Sequence, residues 1–91
     1  MATWYVYILE CGDGTYYVGI TTDLQRRLGM HNAGTASRYT RARLPVRYRY
    51  AEKRGSQSRA LKRELELKSW KRERKAKLFR LSSNIFLKTH L

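Results

Sequence analysis

Two short runs near the start of the chain alternate with the two-residue period of a β-strand. In the first, Trp4, Val6 and Ile8 oppose Tyr5, Tyr7 and Leu9; in the second, Tyr16, Val18 and Ile20 oppose Tyr17, Gly19 and Thr21. Cys11-Gly12-Asp13-Gly14 lies between them, and its Asp-Gly step is a turn signal, so the pair reads as a hairpin. Cross-strand neighbours share a face. One face then holds Trp4, Val6, Ile8, Val18 and Ile20 as core, and the other holds Tyr5, Tyr7, Tyr17 and Gly19. A glycine beside three phenols leaves bare backbone for a closely approaching ligand or helix.

The period then changes. Leu24, Arg27, Leu28 and His31 recur at spacings of three and four, one side of a helix. Thr22 to Gln25 has the form of a capping box with Thr22 as N-cap, and Asn32-Ala33-Gly34 supplies the stop. Arg27 and His31 sit at the border of the buried face, while Arg26 turns away. Taken alone, a snorkelling arginine and a satisfied histidine explain that pair as well as a site does. Thr35 to Leu44 reads as a basic loop in which Arg38, Arg41 and Arg43 surround Tyr39. That set suits phosphate contact with base or sugar stacking; the plainer alternative is a solvated loop whose tyrosine plugs the core.

Val46-Arg47-Tyr48-Arg49-Tyr50-Ala51 alternates as a third strand, with one apolar and one arginine face. A long helix then opens at Ser56 or Ser58 and runs to Trp70. Its inner arc is expected to hold Ala60, Leu61, Leu65 and Leu67, with Glu64 inside it and Glu66 outside, near Lys62 and Arg63. A carboxylate in an apolar stripe is costly unless it is paired or binds a metal, so Glu64 is the anomaly of this helix. Lys71 to Lys77 continues as a basic helical surface, and Leu78, Phe79 and Leu81 dock its end. Ile85, Phe86 and Leu87 either pack back or fray with the tail.

With 91 residues the chain has material for one core, here assigned to residues 1–81, with 82–91 as a C-terminal tail. The expected class is α+β: a small three-stranded antiparallel sheet flanked by helices, in the order β-β-α-β-α-α. Charge sharpens this picture. The net charge is +13, yet residues 1–34 hold three acids against two arginines, and residues 35–91 hold the other eighteen Lys and Arg against four acids. The hairpin is near-neutral and the later chain supplies a positive field. That field favours nucleic acid over the other polyanion available, an anionic membrane surface. No apolar run reaches membrane-spanning length. The single Cys11 forms no internal disulfide, and Met1 to Trp4 shows no basic region leading into an apolar one, so the expected location is cytoplasmic.

Several chemistries are set aside. One cysteine and two distant histidines, His31 and His90, do not make a structural zinc site, and no phosphate-binding glycine loop or dinucleotide fingerprint is present. Nothing in the spacing of Cys11 and His31 supports a thiol dyad. Tyrosines, arginines, one histidine and one inward glutamate in a basic domain fit phosphodiester cleavage. A carboxylate can hold a divalent ion, arginine balances charge growing on the phosphoryl oxygens, and a phenol beside a cation helps deprotonate water.

Tyr5-Val6-Tyr7, Tyr17-Val18-Gly19, Arg27 with His31, and then Glu64 together resemble a GIY-YIG nuclease domain of the small stand-alone kind, over roughly residues 4 to 75. Two departures stand out: Tyr5 replaces the glycine of the first motif, which suits a position at the sheet edge, and Val18 replaces the isoleucine of the second. The resemblance implies metal-dependent, one-step hydrolysis of a nucleic-acid backbone. By position in the motifs, Tyr7 and Tyr17 are the two tyrosines, one of which assists the nucleophilic water. Arg27 matches the phosphate-stabilising arginine, His31 the site histidine, and Glu64 the ligand of a single Mg2+ or Mn2+. Gly19 is the close-packing glycine, Tyr5 a structural neighbour, and Tyr39 a further site member. The expected activity is that of an endonuclease on DNA, with RNA as the other candidate and damaged or branched forms as its targets. Two rivals are a catalytically weak nucleic-acid-binding module on the same basic surface, and a platform for a partner protein. The expectation to test in space is that Tyr7, Tyr17, Arg27, His31 and Glu64 line one cleft.

Overall fold

The hairpin closes because its turn satisfies its own polar groups. Gly14 takes φ +85°, a conformation that only glycine adopts readily. Asp13 Oδ1 accepts from the Thr15 backbone N–H at 3.1 Å and from the Thr15 hydroxyl at 2.7 Å. In the computed structural model, which describes residues 2–87, β1 (Trp4–Glu10) pairs antiparallel with β2 (Tyr16–Thr21), with Tyr7 opposite Gly19 and Leu9 opposite Tyr17. β3 (Arg47–Gly55) joins the other side of β1, also antiparallel, giving the order β2-β1-β3. The helices are α1 (Leu24–Asn32), α2 (Arg38–Arg41), α3 (Gln57–Lys68) and α4 (Arg72–Lys77), followed by a 3-10 turn at Leu78–Arg80. This is the α+β architecture expected from the pattern, with α2 added where a loop was expected. Tyr5 lies on the central strand, not at the sheet edge.

The sheet divides two cores. On one face Val6, Ile8, Val18 and Tyr50 pack against Ala60 and Leu67 of α3 and against Leu78. On the other, Tyr7, Leu9, Cys11, Val46 and Ala51 pack with Tyr17, Leu24 and Leu28 beneath α1. Covering the central strand on both faces requires β1 to be apolar or aromatic on both sides, as it is from Trp4 to Leu9.

β3 departs from simple alternation. Val46, Tyr48 and Tyr50 were expected on a single face, but the β1–β3 register slips between Ile8, opposite Tyr50, and Leu9, opposite Tyr48. This bulge sends Tyr50 to the α3 side and Tyr48 to the α1 side. The arginine face meets an acid: Arg47 and Arg49 both pair with Glu10.

Two helix readings are corrected. Asp23, not Thr22, caps α1, its carboxylate accepting from the Arg26 N–H at 3.0 Å, while the Thr21 hydroxyl accepts from the Asp23 N–H. In α3, capped by Ser56, the sheet-facing stripe is Ala60, Arg63, Glu64 and Leu67; Leu61 and Leu65 face outward, 44% and 70% exposed. Seven residues separate Ala60 and Leu67, so the positions between them at i+3 and i+4 must share their side. Arg63 serves there by pairing with Glu52, a buried carboxylate on β3 that also accepts from the Tyr50 hydroxyl at 2.8 Å and from Arg54 at 3.0 Å. Glu66 pairs with Arg63 from the surface, as expected.

The chain expected as a tail from Ser82 is docked at least to Leu87. Buried Asn84 donates to the Arg49 and Phe79 carbonyls and accepts from the Ala51 and Phe86 N–H groups, and the Ile85 N–H donates to the Ala51 carbonyl. The rest of the expected tail, with His90, lies outside the described residues. Among the described residues no helix is long and apolar enough to cross a membrane.

Candidate active site

Tyr7 occupies the centre of the α1-facing side. It is 1% exposed, and its ring lies against the bare backbone of Gly19, where a Cβ would come within 2.5 Å of the phenolic oxygen. The glycine anticipated as a seat for a ligand or helix is thus the seat of Tyr7 itself. The Tyr7 hydroxyl meets His31 Nε2 at 2.8 Å, and His31 Nδ1 meets the Thr40 hydroxyl at 2.8 Å. His31 and Thr40 are both fully buried. Burial pushes the Tyr7 phenol far above its ordinary value, with Tyr17 and Tyr48 adding to the effect and Arg27 opposing it. Burial, reinforced by the Arg27 charge, holds the His31 imidazolium down, so the neutral ring is favoured.

Tyr17 stands at the rim of this cluster, half-buried. Its ring meets His31 edge-on at 5.3 Å and stacks on Tyr39 of α2 at 6.0 Å. Tyr39 in turn lies under Arg43, whose guanidinium is 3.9 Å from the ring centroid. Arg43 is heavily engaged, pairing with Asp13 at 3.0 Å and donating to the Tyr39 carbonyl at 2.9 Å. It ties the hairpin turn to α2, which leaves Arg38 and Arg41 as the exposed arginines of this segment.

Tyr7, Tyr17, Arg27, His31 and Tyr39 therefore form one contiguous group beneath α1 and α2. Glu64 enters from the other layer, on α3, which packs on the opposite face of the sheet. Its side chain is 16% exposed and meets Lys68 Nζ at 3.5 Å; among the described residues no hydrogen bond or ion pair joins it to the tyrosine group. No set of three or more His, Cys, Asp and Glu side chains among the described residues could enclose a metal. A lone carboxylate with one long ammonium contact fits only an ion that keeps its waters and takes further ligands from a substrate, as Mg2+ does.

The order of the elements and the side chains they bring together agree with a direct comparison. The model of the GIY-YIG catalytic domain matches residues 3–77. The chain belongs to the GIY-YIG family. Within it, the chain is 51% identical over 75 residues to a UPF0213 protein of Halobacterium salinarum, covering 82% of this chain and 97% of the other. It is 52% identical over 71 residues to a UPF0213 protein of Streptococcus pneumoniae, covering 78% and 72%. The solution NMR structure of a UPF0213 protein from Bacillus halodurans is similar at TM-score 0.58 and 39% identity, covering 96% and 93% of the two chains. That of an E. faecalis protein is similar at TM-score 0.59 and 37% identity, covering 99% and 88%. A GIY-YIG domain is a nuclease domain, which gives this chain the nuclease family and nucleic acid as the general class of partner.

This GIY-YIG domain also uses residues that sequence reasoning missed. Thr40 closes the hydrogen bonds of His31, although nine residues separate them. Tyr48 meets the Tyr7 ring edge-on at 5.3 Å and donates to the Leu24 carbonyl at 2.6 Å, fastening α1 to β3. Glu52 gave no signal because the partner that ties it to another element, Arg63, reaches it from α3, while Tyr50 and Arg54 flank it two residues away on β3. Tyr48 was visible as a strand residue, but its side of the sheet depends on the bulge.

Proposed function

We propose that this chain is a divalent-metal-dependent endonuclease that hydrolyses DNA, with damaged or branched duplexes as its substrates. The observation that carries the reading is the buried Tyr7–His31 hydrogen bond set behind the rim tyrosine Tyr17 and beside Arg27. A structural core has no use for so many polar rings beside a guanidinium.

In this reading the attacking oxygen is a water lodged against Tyr17, because the Tyr7 hydroxyl is sealed from solvent and engaged with His31. Tyr17 orients that water and takes part in its deprotonation. Arg27 balances the negative charge that grows on the phosphoryl oxygens as the new P–O bond forms and the bond to the leaving oxygen breaks. Tyr7 and His31 hold the floor of the site and keep Arg27 against a polar surface. Glu64 is the residue that would hold a divalent ion, Mg2+ or Mn2+, which when bound would supply polarisation of the phosphate and stabilisation of the leaving oxygen. Arg38 and Arg41 grip the phosphate backbone on either side, and the exposed cations of α4 extend that field.

The rival is a nucleic-acid-binding module with little catalysis. It is favoured by the Lys68 ammonium that Glu64 already holds and by the placement of Glu64 on the layer behind the sheet. A cleavage assay with titrated Mg2+ and Mn2+ on plasmid, single-stranded and branched DNA, and on RNA, separates the two. Cleavage that needs metal and is abolished by Arg27→Ala and Glu64→Ala supports the enzyme. Intact substrates with wild-type protein, or equal cutting by Glu64→Ala, remove it.

A further inference from the structure

The contacts around His31 fix more than its position. A threonine hydroxyl carries one proton. Thr40 lies where it can give that proton to the Ser37 carbonyl, at 3.4 Å, and its oxygen then faces His31 Nδ1 at 2.8 Å as an acceptor. With Thr40 so oriented, Nδ1 would carry the imidazole proton, and Nε2, 2.8 Å from the Tyr7 hydroxyl, would be left with its lone pair. The Tyr7 O–H would then donate to it. The resulting chain runs one way, from Tyr7 through His31 and Thr40, all three buried, to the part-buried Ser37 carbonyl.

We propose that Thr40 is a positioning residue: by accepting from Nδ1 it holds His31 in the tautomer that makes Nε2 the proton acceptor for Tyr7. The segment is built to keep that hydroxyl still. Ser37 caps α2 by accepting from the Thr40 N–H, and the Arg43 N–H donates to the Thr40 carbonyl at 2.9 Å. Arg43 is itself clamped to Asp13 in the hairpin turn. The groups that face His31 are Tyr7 from β1, Tyr17 from β2, Thr40 from α2 and Arg27 from its own helix, with no carboxylate among those contacts. No anion there stabilises the imidazolium, so a neutral ring of fixed tautomer is the state the surroundings select. The catalytic meaning rests on the nuclease reading: with Nε2 fixed as the acceptor, the Tyr7 hydroxyl stays held by a neutral His31, and the floor against which Tyr17 and Arg27 meet the phosphate keeps its shape.

The tautomer is measurable without any substrate. Nitrogen-15 histidine spectra of the wild-type protein should show His31 protonated at Nδ1 and bare at Nε2. Thr40→Ser should keep that pattern, and Thr40→Val, nearly the same in shape, should shift His31 toward the Nε2–H form. In the cleavage assay Thr40→Val should lower kcat by about 10-fold with KM unchanged, and Thr40→Ser should restore it. An Nε2–H tautomer in the wild type overturns the proposal, and the wild-type spectrum decides this even where Thr40→Val fails to fold. An unchanged tautomer in folded Thr40→Val also overturns it. The expected tautomers with no cleavage by wild type would uphold the assignment of Thr40 and remove the nuclease reading instead.

Discussion

Gly19 and Tyr7 face each other across the β1–β2 pair so closely that no methyl group fits between them. A Cβ at position 19 would lie 2.5 Å from the Tyr7 hydroxyl oxygen and 2.6 Å from Cζ. The glycine of the second motif exists for the tyrosine of the first. Gly19→Ala should therefore push Tyr7 off His31 and cost about 1–3 kcal/mol, the range for overpacking a rigid core. Urea unfolding measures it, and a midpoint equal to wild type would contradict the geometry.

The two motif tyrosines should separate by readout. Tyr7→Phe leaves His31 Nε2 buried without its donor and should lose about 1–3 kcal/mol of stability. Tyr17→Phe sits at the rim and should change stability by less than about 0.5 kcal/mol while removing most cleavage. Paired melts and cleavage rates test this; equal stability losses would mean that Tyr17 is as structural as Tyr7.

Acid should destabilise the fold before the carboxylates titrate. The His31 pKa is lowered in the folded state, so the unfolded chain binds the extra proton more readily. Stability from this group is complete above the unfolded value of about 6.5 and falls as pH drops from there through the folded value. Once protonated, Nε2 no longer accepts from Tyr7. Glu10 and Glu66 act in the same direction but at lower pH, because their arginine partners hold them below the ordinary carboxylate value. Denaturation midpoints at pH 7, 6 and 5 should fall between pH 7 and 5, and a flat profile there would refute the depressed His31.

Glu52 and Arg63 fasten β3 to α3 through a nearly dry pair. Glu52→Ala removes the buried acceptor shared by Arg63 and the Tyr50 hydroxyl, leaves Arg63 only its surface partner Glu66, and should cost about 1–3 kcal/mol. Thermal unfolding checks it; a loss under about 1 kcal/mol would mean that water replaces the carboxylate.

The arginines of the α2 segment should divide by role. Arg38→Ala with Arg41→Ala should weaken DNA binding and reduce its salt slope by about 0.9 for each phosphate that is no longer neutralised. Arg43→Ala should instead loosen the hairpin turn from α2, showing mainly as reduced stability. Fluorescence anisotropy across a salt series, with melts alongside, distinguishes these outcomes.

What the sequence determined on its own is what repeats locally. The two-residue alternation of the hairpin, the Asp13-Gly14 turn, the Arg27–His31 spacing and the third strand are periodic or short-range signals, and they specify the antiparallel α+β sheet and which tyrosines share a face. They also specify the family, because Tyr7, Tyr17, Gly19, Arg27, His31 and Glu64 keep their order along the chain. What only the tertiary structure decided depends on partners from distant segments. The β3 bulge turns Tyr48 and Tyr50 to opposite faces, because each face of the sheet has its own helix to fill. Leu61 and Leu65 face outward and Arg63 inward because Glu52 waits on β3, a pairing that no helical projection of α3 contains. Thr40 belongs to His31 because α2 brings it there, and Arg43 is a clamp because Asp13 lies within reach. Local patterns carry backbone geometry, whereas the duty of a polar side chain is set by whichever group shares its dry surroundings.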